Sequence, residues 1–412
     1  MTLSDKLQDT TILDEAAKVK DVLLKVQAET KELTGKTETD LLERTRQSLG
    51  YKESADSAQV KQALIDTRVA SKTPVITPEM LSYVIPVSNT SAQTTETSRK
   101  AIENILKHED NRLLVVVGPC SIHDPKAAIE YAEKVKKWIE KYSDNLEIVM
   151  RAYMEKPRTE LGWKGFVYDP LLDESNDINL GVTATRMISC QITNMGVPIA
   201  MERLNALTPQ YVNALVAYDV IGARNTTDQK SREYASGTSS PVGFKNTPDG
   251  DIESTAQAVV SAMHGHAFLG MGMDGAPNQI NSKGNETAHI ILRGDNNGPN
   301  YSEEHITKVK EVLKSKNLQE SIIVDASHGN SGKKASQENV VIADVSQQVA
   351  TGETAICGVM IESNLVEGNQ KLDKPEDLIY GKSITDECAG LDVTEAMLAT
   401  LSDAADKRSA TH

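Results

Sequence analysis

Apolar residues in the first 70 positions keep a helical period, whereas beyond position 113 they gather into short runs separated by amphipathic stretches. Ile12, Ala16, Val19, Leu23 and Val26 recur at four- and three-residue intervals, which lays one apolar stripe along a helix. The stripe covers fewer than three heptads and includes Ala16, so it serves either a helix packed on its own domain or a short contact between subunits. Further helices are expected over 40–49 and 57–67, and Pro74 and Pro78 make 72–78 an extended connector.

The runs 113–118, 147–152, 198–203, 220–224, 241–245, 267–271, 321–326 and 356–362 read as strands. Helical patterns lie between them at 125–141, 177–195, 208–218, 254–263, 302–315 and 339–351. Parallel strands need crossovers of this length, and eight of them is the number of a closed barrel. The expected fold is therefore α/β, a (β/α)8 TIM barrel at 71–412 behind an N-terminal helical extension at 1–70. A ninth run, 288–293, follows a loop rich in Gly and Asn and is assigned to an inserted β-hairpin between strands 6 and 7. An open doubly wound sheet is the structural alternative. Neither GxGxxG nor GxxxxGK(S/T) follows the first strand, so the usual phosphate loop of that fold is missing.

Composition narrows the class. Of 412 residues, 39% are hydrophobic and 25% charged, as in a globular enzyme, and only 4% are aromatic, so the core is built from Val, Ile, Leu, Ala and Met. A net charge of -15 excludes nucleic acid as a partner, so an anionic ligand must be small and held by a local basic pocket. No stretch approaches the eighteen or so apolar residues of a membrane span, and the start of the chain has no signal-peptide pattern, which points to the cytoplasm. Cys120, Cys190, Cys357 and Cys388 lack CxxC spacing, as suits a reducing compartment.

The chemistry sits at the ends of the apolar runs, where a barrel converges on its ligand. Cys120 follows strand one, His328 follows strand seven, Glu362 ends strand eight and Asp386 lies in the loop beyond. Taken singly, these read as core packing or helix caps. Together they form a mixed thiolate, imidazole and carboxylate set suited to one divalent metal ion, Mn, Fe, Co or Zn. Arg151, Lys156, Arg158, Arg224, Lys245 and Arg293 form a denser cationic set at or just beyond strand ends. Two anionic groups would account for so many, or one phosphorylated substrate together with structural ion pairs. Glu202, near the end of strand three, either orients a cation or water or makes a structural pair.

Ten motifs then carry a resemblance: GPCSIHD (118–124), MRAYMEKPRT (150–159), GWKG (162–165), LTPQY (207–211), IGAR (221–224), PVGFKN (241–246), HIILRG (289–294), DASHGNS (325–331), GVMIESNLVEGNQ (358–370) and YGKSITD (380–386). In this order they resemble type I 3-deoxy-D-arabino-heptulosonate 7-phosphate (DAHP) synthases of the aromatic-amino-acid-regulated subgroup, over about 60–405. The resemblance implies a metal-dependent barrel that condenses phosphoenolpyruvate with erythrose 4-phosphate at the head of the shikimate pathway. It implies Cys120, His328, Glu362 and Asp386 as metal ligands, and Arg151, Lys156, Arg224, Lys245 and Arg293 around phosphoenolpyruvate. Arg158 and Thr159 match the sugar-phosphate site, and Lys156 and His328 are the candidates for proton transfer. An aromatic amino acid effector and a homo-oligomer, dimer or tetramer, are further implications.

The chain departs from the family pattern in loops. Asn225-Thr226-Thr227-Asp228-Gln229 shifts a carboxylate by one position, Thr247-Pro248-Asp249-Gly250 stands where the pattern has Gly-Thr-Asp-Gly and so replaces a permissive glycine, and Asn205 replaces a common Asp. The segment 270–277 lacks the usual Ser-Val-Thr-Lys character. These differences leave the metal and phosphoenolpyruvate residues intact while opening the choice of aldose and effector. A same-mechanism synthase for another phosphorylated aldose and a catalytically idle homologue remain the alternatives.

Overall fold

The structure, a computed structural model, describes residues 10–48, 64–158 and 160–411. Helix α1 (Thr10–Ser48) runs without a break, so the separate helix expected at 40–49 is its continuation. The helix expected at 57–67 falls largely outside the described residues. Ile12, Leu13, Ala16 and Leu23 join the buried cluster that surrounds the barrel, and Lys20 reaches Asp177 at 2.9 Å. The predicted stripe thus packs on this chain's own barrel, with Val26 left 45% exposed at its far end.

Helices α2 (Pro78–Val84) and α3 (Asn89–Leu106) lead into the barrel. Both start on a side-chain cap, Thr77 and Ser88, which satisfies an amide that a helix start leaves open. The barrel's first half is β1 (Leu113–Gly118), α4 (Pro125–Tyr142), β2 (Leu146–Arg151), α5 (Ile178–Asn194), β3 (Ile199–Arg203), α6 (Pro209–Val212), β4 (Val216–Ile221), α7 (Gln229–Gly237), β5 (Val242–Lys245) and α8 (Ile252–Ala262). Next come β6 (Ala267–Met271), β7 (Pro277–Asn281), β8 (His289–Leu292), α9 (Glu303–Ser315), β9 (Ile322–Asp325), α10 (Ala335–Ala350) and β10 (Ile356–Glu362). Short strands β11 (Val366–Asn369) and β12 (Lys382–Ser383) precede α11 (Leu391–Thr411).

A closed barrel of parallel strands runs β1-β2-β3-β4-β5-β8-β9-β10 and back to β1. Side chains alternate across its wall, as the two-residue strand period requires. Leu114, Val116, Val149, Ala200, Val220, Ile291, Ile323 and Met360 belong to one buried cluster, whereas Val115, Val117, Ile148 and Ile290 belong to the cluster shared with the helices. Ile102, Ile105 and Leu106 of α3 join the first of these, and Ser321 donates to the Leu106 carbonyl at 2.6 Å. That helix therefore closes the amino-terminal end, and the opposite end stays open for ligands.

Two expectations need correction. The sixth barrel strand is His289–Leu292, and Ala267–Met271 pairs antiparallel with Pro277–Asn281 outside the barrel, so the inserted hairpin lies between barrel strands five and six. Burial decides the matter: every residue of β8 is buried, whereas no residue of β6 is. A barrel strand covered on both faces must be apolar throughout, which Ile290-Ile291-Leu292 satisfies. The fourth strand also begins earlier than expected, at Val216 rather than 220, because the helical segment before it ends at Val212 in a single further turn. Arg224 consequently sits three residues beyond its strand instead of ending it.

Candidate active site

The carboxyl ends of the strands surround a cavity of about 510 Å³. Cys120, Arg151, Lys156, Arg158, Glu202, Arg224, Lys245, Arg293, His328, Glu362 and Asp386 all line it. Every candidate from the sequence is thus in one place except Thr159, which lies outside the described residues.

Close approach of the backbone makes this convergence possible. A Cβ on Gly118, at the end of β1, would stand 3.0 Å from the Arg151 carbonyl oxygen, so only glycine lets the chain turn there and present Cys120. Gly294 has φ +72, and a Cβ there would come within 2.4 Å of the Gly329 backbone, where the loops after β8 and β9 cross.

The donor atoms of Cys120, Glu362 and Asp386 lie within 4.8 Å of one another. His328 borders this cluster, its Nε2 3.7 Å from Glu362 Oε1, without belonging to it. Lys156 donates to Cys120 Sγ at 2.8 Å and to Asp386 Oδ2 at 2.9 Å. Burial, reinforced by Glu362, pushes the Cys120 thiol up to about 12. Burial works against the Lys156 charge, but Cys120, Asp386 and Glu362 outweigh it and hold its pKa above the usual lysine range. Burial likewise opposes ionisation of Asp386, and Lys156 overcomes it, holding that carboxyl below its usual range. Three acidic donors packed together call for a cation, which Lys156 supplies in this arrangement. Sulfur, carboxylate and nearby imidazole are also the ligand set of a borderline divalent metal, so the residues present fit one.

Arg151 ends β2 and is fully buried. Its Nη2 donates to Glu362 Oε1 at 2.9 Å, its Nε to the Pro119 carbonyl at 3.3 Å, and its guanidinium lies 4.0 Å above the Tyr153 ring. Nη1 is buried with no partner among the described residues. A buried donor without an acceptor is costly, so this one is suited to an anionic ligand. Lys245 ends β5, 3.2 Å from Asp325 and 4.0 Å from Glu202. Arg293 follows β8, its backbone N–H held by Asn246 Oδ1 at 2.8 Å. The cavity is therefore acidic near Cys120 and cationic across Lys245, Arg224 and Arg293.

Asp325, Tyr153 and Glu338 were not among the residues expected from the sequence. Asp325 ends β9 and is wholly buried, its Oδ2 2.9 Å from His328 Nδ1 but off the line of a good hydrogen bond. Burial opposes its charge, yet His328 and Lys245 hold it well below the usual carboxylate range. The signal was available, since Asp325 stands in DASHGNS at a strand end like the other site residues. Glu338, on α10, is buried and, with Glu362 adding to the effect of burial, pushed well above the usual range. Nothing in its helical surroundings marks it in the sequence.

Comparison with known proteins now decides the family. The model of the DAHP synthetase I family matches residues 84–399. The chain belongs to that family. Within it, the chain is 47% identical over 343 residues to the Phe-sensitive phospho-2-dehydro-3-deoxyheptonate aldolase of Escherichia coli K12, covering 83% of this chain and 98% of that protein. It is 43% identical over 350 residues to the tyrosine-inhibited aldolase of Schizosaccharomyces pombe, covering 84% and 94%. The solved phospho-2-dehydro-3-deoxyheptonate aldolase of Francisella tularensis SCHU S4 superposes with a TM-score of 0.81 at 45% identity, covering 82% of this chain and 99% of that one. All eight barrel strands of this DAHP synthetase I family chain fall inside the matched residues.

Proposed function

We propose that this protein condenses phosphoenolpyruvate with D-erythrose 4-phosphate and water to give DAHP and inorganic phosphate, the first step of the shikimate pathway. The observation that carries the reading is a single cavity in which an acidic, thiol-containing cluster faces a cationic wall, with Nη1 of the buried Arg151 left without a partner among the described residues. Cys120, His328, Glu362 and Asp386 would hold one divalent ion, Mn, Fe, Co or Zn, which when bound supplies Lewis acidity toward the aldehyde carbonyl.

Arg151, Lys245, Arg224 and Arg293 bind the carboxylate and phosphate of phosphoenolpyruvate, and Arg158 with Thr159 takes the phosphate of the sugar. Holding both anions sets C3 of the enol against the aldehyde carbon, so positioning accounts for much of the rate. When that carbon–carbon bond forms, Lys156 holds a proton at Nζ for the aldehyde oxygen, and its high pKa keeps that proton in place until the alkoxide develops. Water adds at C2, and the C–O bond to phosphate breaks to release inorganic phosphate. His328 assists proton movement in that second half, and Glu202 orients Lys245 or the attacking water.

Asn225 and Pro248 line the same cavity and depart from the family pattern, so a different phosphorylated aldose is the second reading. An aromatic amino acid is the expected effector. The relatives' names disagree on which one, Phe-sensitive and tyrosine-inhibited among them. The working form is a cytoplasmic homo-oligomer, dimer or tetramer; among the described residues no helix is long and apolar enough to cross a membrane. The test is phosphate release from phosphoenolpyruvate with a panel of aldose phosphates, with chelator, added metals and each aromatic amino acid. Metal-dependent release with erythrose 4-phosphate is expected. Preference for another aldose would install the second reading, and no aldehyde-dependent release with any metal would overturn both.

A further inference from the structure

We infer that Asp325 is a positioning residue shared by the two halves of the cavity, fixing the imidazole of His328 with the same carboxylate oxygen that places the ammonium of Lys245. This role rests on the proposed synthase activity and adds to it a link between the metal side and the phosphoenolpyruvate side.

Asp325 ends β9 with no exposed surface. Oδ1 accepts the Ser327 backbone N–H at 3.0 Å, and the Asp325 carbonyl accepts from Asn330 Nδ2 at 2.9 Å, so neither the backbone nor the carboxylate plane is free to turn. Oδ2 is thereby aimed between two groups from different elements, His328 Nδ1 at 2.9 Å and Lys245 Nζ at 3.2 Å.

The 2.9 Å contact is off the line of a hydrogen bond in this arrangement, but a carboxylate this near Nδ1 favours the tautomer with its proton on that nitrogen and receives it after a small turn of the ring. That leaves the Nε2 lone pair on the Glu362 side, where a metal ligand must point. On the other flank, Lys245 is 3% exposed in its side chain, and its other acidic neighbour, Glu202, is 4.0 Å away. Without Asp325 that ammonium would sit in a buried site with one distant counter-charge and no fixed direction.

The experiment uses full-length protein stripped of metal, with calorimetric titration of Mn2+ or Co2+ and, separately, of phosphoenolpyruvate without metal. For Asp325→Asn, metal binding is expected to weaken at least tenfold, the scale found for partners of metal-bound histidines. Phosphoenolpyruvate binding is expected to weaken at least threefold. The second result is the discriminating one, because removal of a negative charge would by Coulomb attraction alone tighten an anion. A folded variant in which either constant stays within twofold of wild type, or in which the anion binds more tightly, overturns the inference.

If Asp325→Asn does not fold, Lys245→Met is titrated with metal alongside Arg293→Met, which removes an equal charge from the same cavity. Metal is expected to bind Lys245→Met at least threefold more tightly than Arg293→Met, because Asp325 is then given over to His328, and equal constants in the two variants overturn the inference. Failure of wild type to bind phosphoenolpyruvate would overturn the functional reading itself, and the inference with it. Normal wild-type binding with an unaffected Asp325→Asn removes the inference alone.

Discussion

On the β1, β2 and β10 side of the cavity, charge is balanced inside the protein: Lys156 sits between Cys120 and Asp386, and Arg151 is clasped by Glu362. On the β5, β8 and β9 side, Lys245 is paired with Asp325, but the scaffold beneath Arg293 is neutral. Asn246 accepts the Arg293 and Asn300 donors and gives hydrogen bonds to the Thr247 and Gly294 carbonyls, while Asn300 and Asn330 carry the lattice on to Leu292 and Asp325. The first wall stores ions that a ligand must rearrange. The second fixes backbone with amides and leaves the Arg293 guanidinium a long 3.4 Å bond to Gly294 O that an anion can replace. Ligand exchange on the first wall should govern chemistry, and rigidity of the second should govern substrate affinity.

Breaking the first wall gives the largest effects. Cys120→Ala should lower turnover by about 10⁴-fold, about 5 kcal/mol in barrier, with the far-ultraviolet circular dichroism of the barrel unchanged. Activity retained in that variant would remove Cys120 from the site. Arg151→Met leaves Glu362 buried without its counter-charge and should cost about 4 kcal/mol in urea unfolding. Adding Glu362→Leu should recover much of that stability without any recovery of activity, which separates the ion pair's structural cost from its chemical role.

The second wall can be tested by pH. His289, beneath Arg293, is buried and its pKa is drawn down to about 4 by that burial, from 6.5. Nε2 lies 2.7 Å from the Tyr218 hydroxyl and Nδ1 2.8 Å from the Thr287 carbonyl, a pairing that suits the neutral ring with its proton on Nδ1. The folded state therefore refuses a proton that the unfolded chain accepts. Its stabilising contribution is complete above about pH 6.5 and is lost as pH falls toward 4, about 3 kcal/mol in all. His289→Gln should flatten that part of the stability curve. An unchanged slope would show that the imidazole is not kept neutral. Asn246→Ala, which orphans the Gly294 carbonyl and the Arg293 amide, should cost about 2 kcal/mol and raise KM for phosphoenolpyruvate with kcat less affected.

The difference between the walls also explains what could be read in the sequence. Cys120, Arg151, Lys245 and Glu362 were legible because barrel strands are apolar on both faces, so a reactive or charged residue where such a run stops stands out. The pairing of Lys156 with Cys120 was not, since it joins residues 36 positions apart through loops whose crossing depends on tertiary packing. The asparagine lattice was hidden for a related reason: Asn246, Asn300 and Asn330 read singly as loop residues, and only their convergence makes them a scaffold. Asp325 was visible as a residue and invisible as a link, because what matters is that one oxygen faces two elements.

The exchange of 267–271 for 288–293 in the barrel gives the smallest and sharpest test, because the two runs look alike in composition and differ in surroundings. Leu269 lies on the hairpin and is 83% exposed, while Ile291 is fully buried within β8. Removing an exposed side chain forfeits almost no burial, so Leu269→Ser should change unfolding free energy by less than about 0.5 kcal/mol. The same kind of truncation at Ile291 opens a cavity in the barrel interior and should cost about 2–5 kcal/mol. Equal losses at the two sites would contradict the strand order. Should Leu269→Ser leave monomer stability unchanged and yet alter the assembly state in analytical ultracentrifugation, the hairpin's exposed face would belong to the contact between copies of the chain, outside both walls of the cavity.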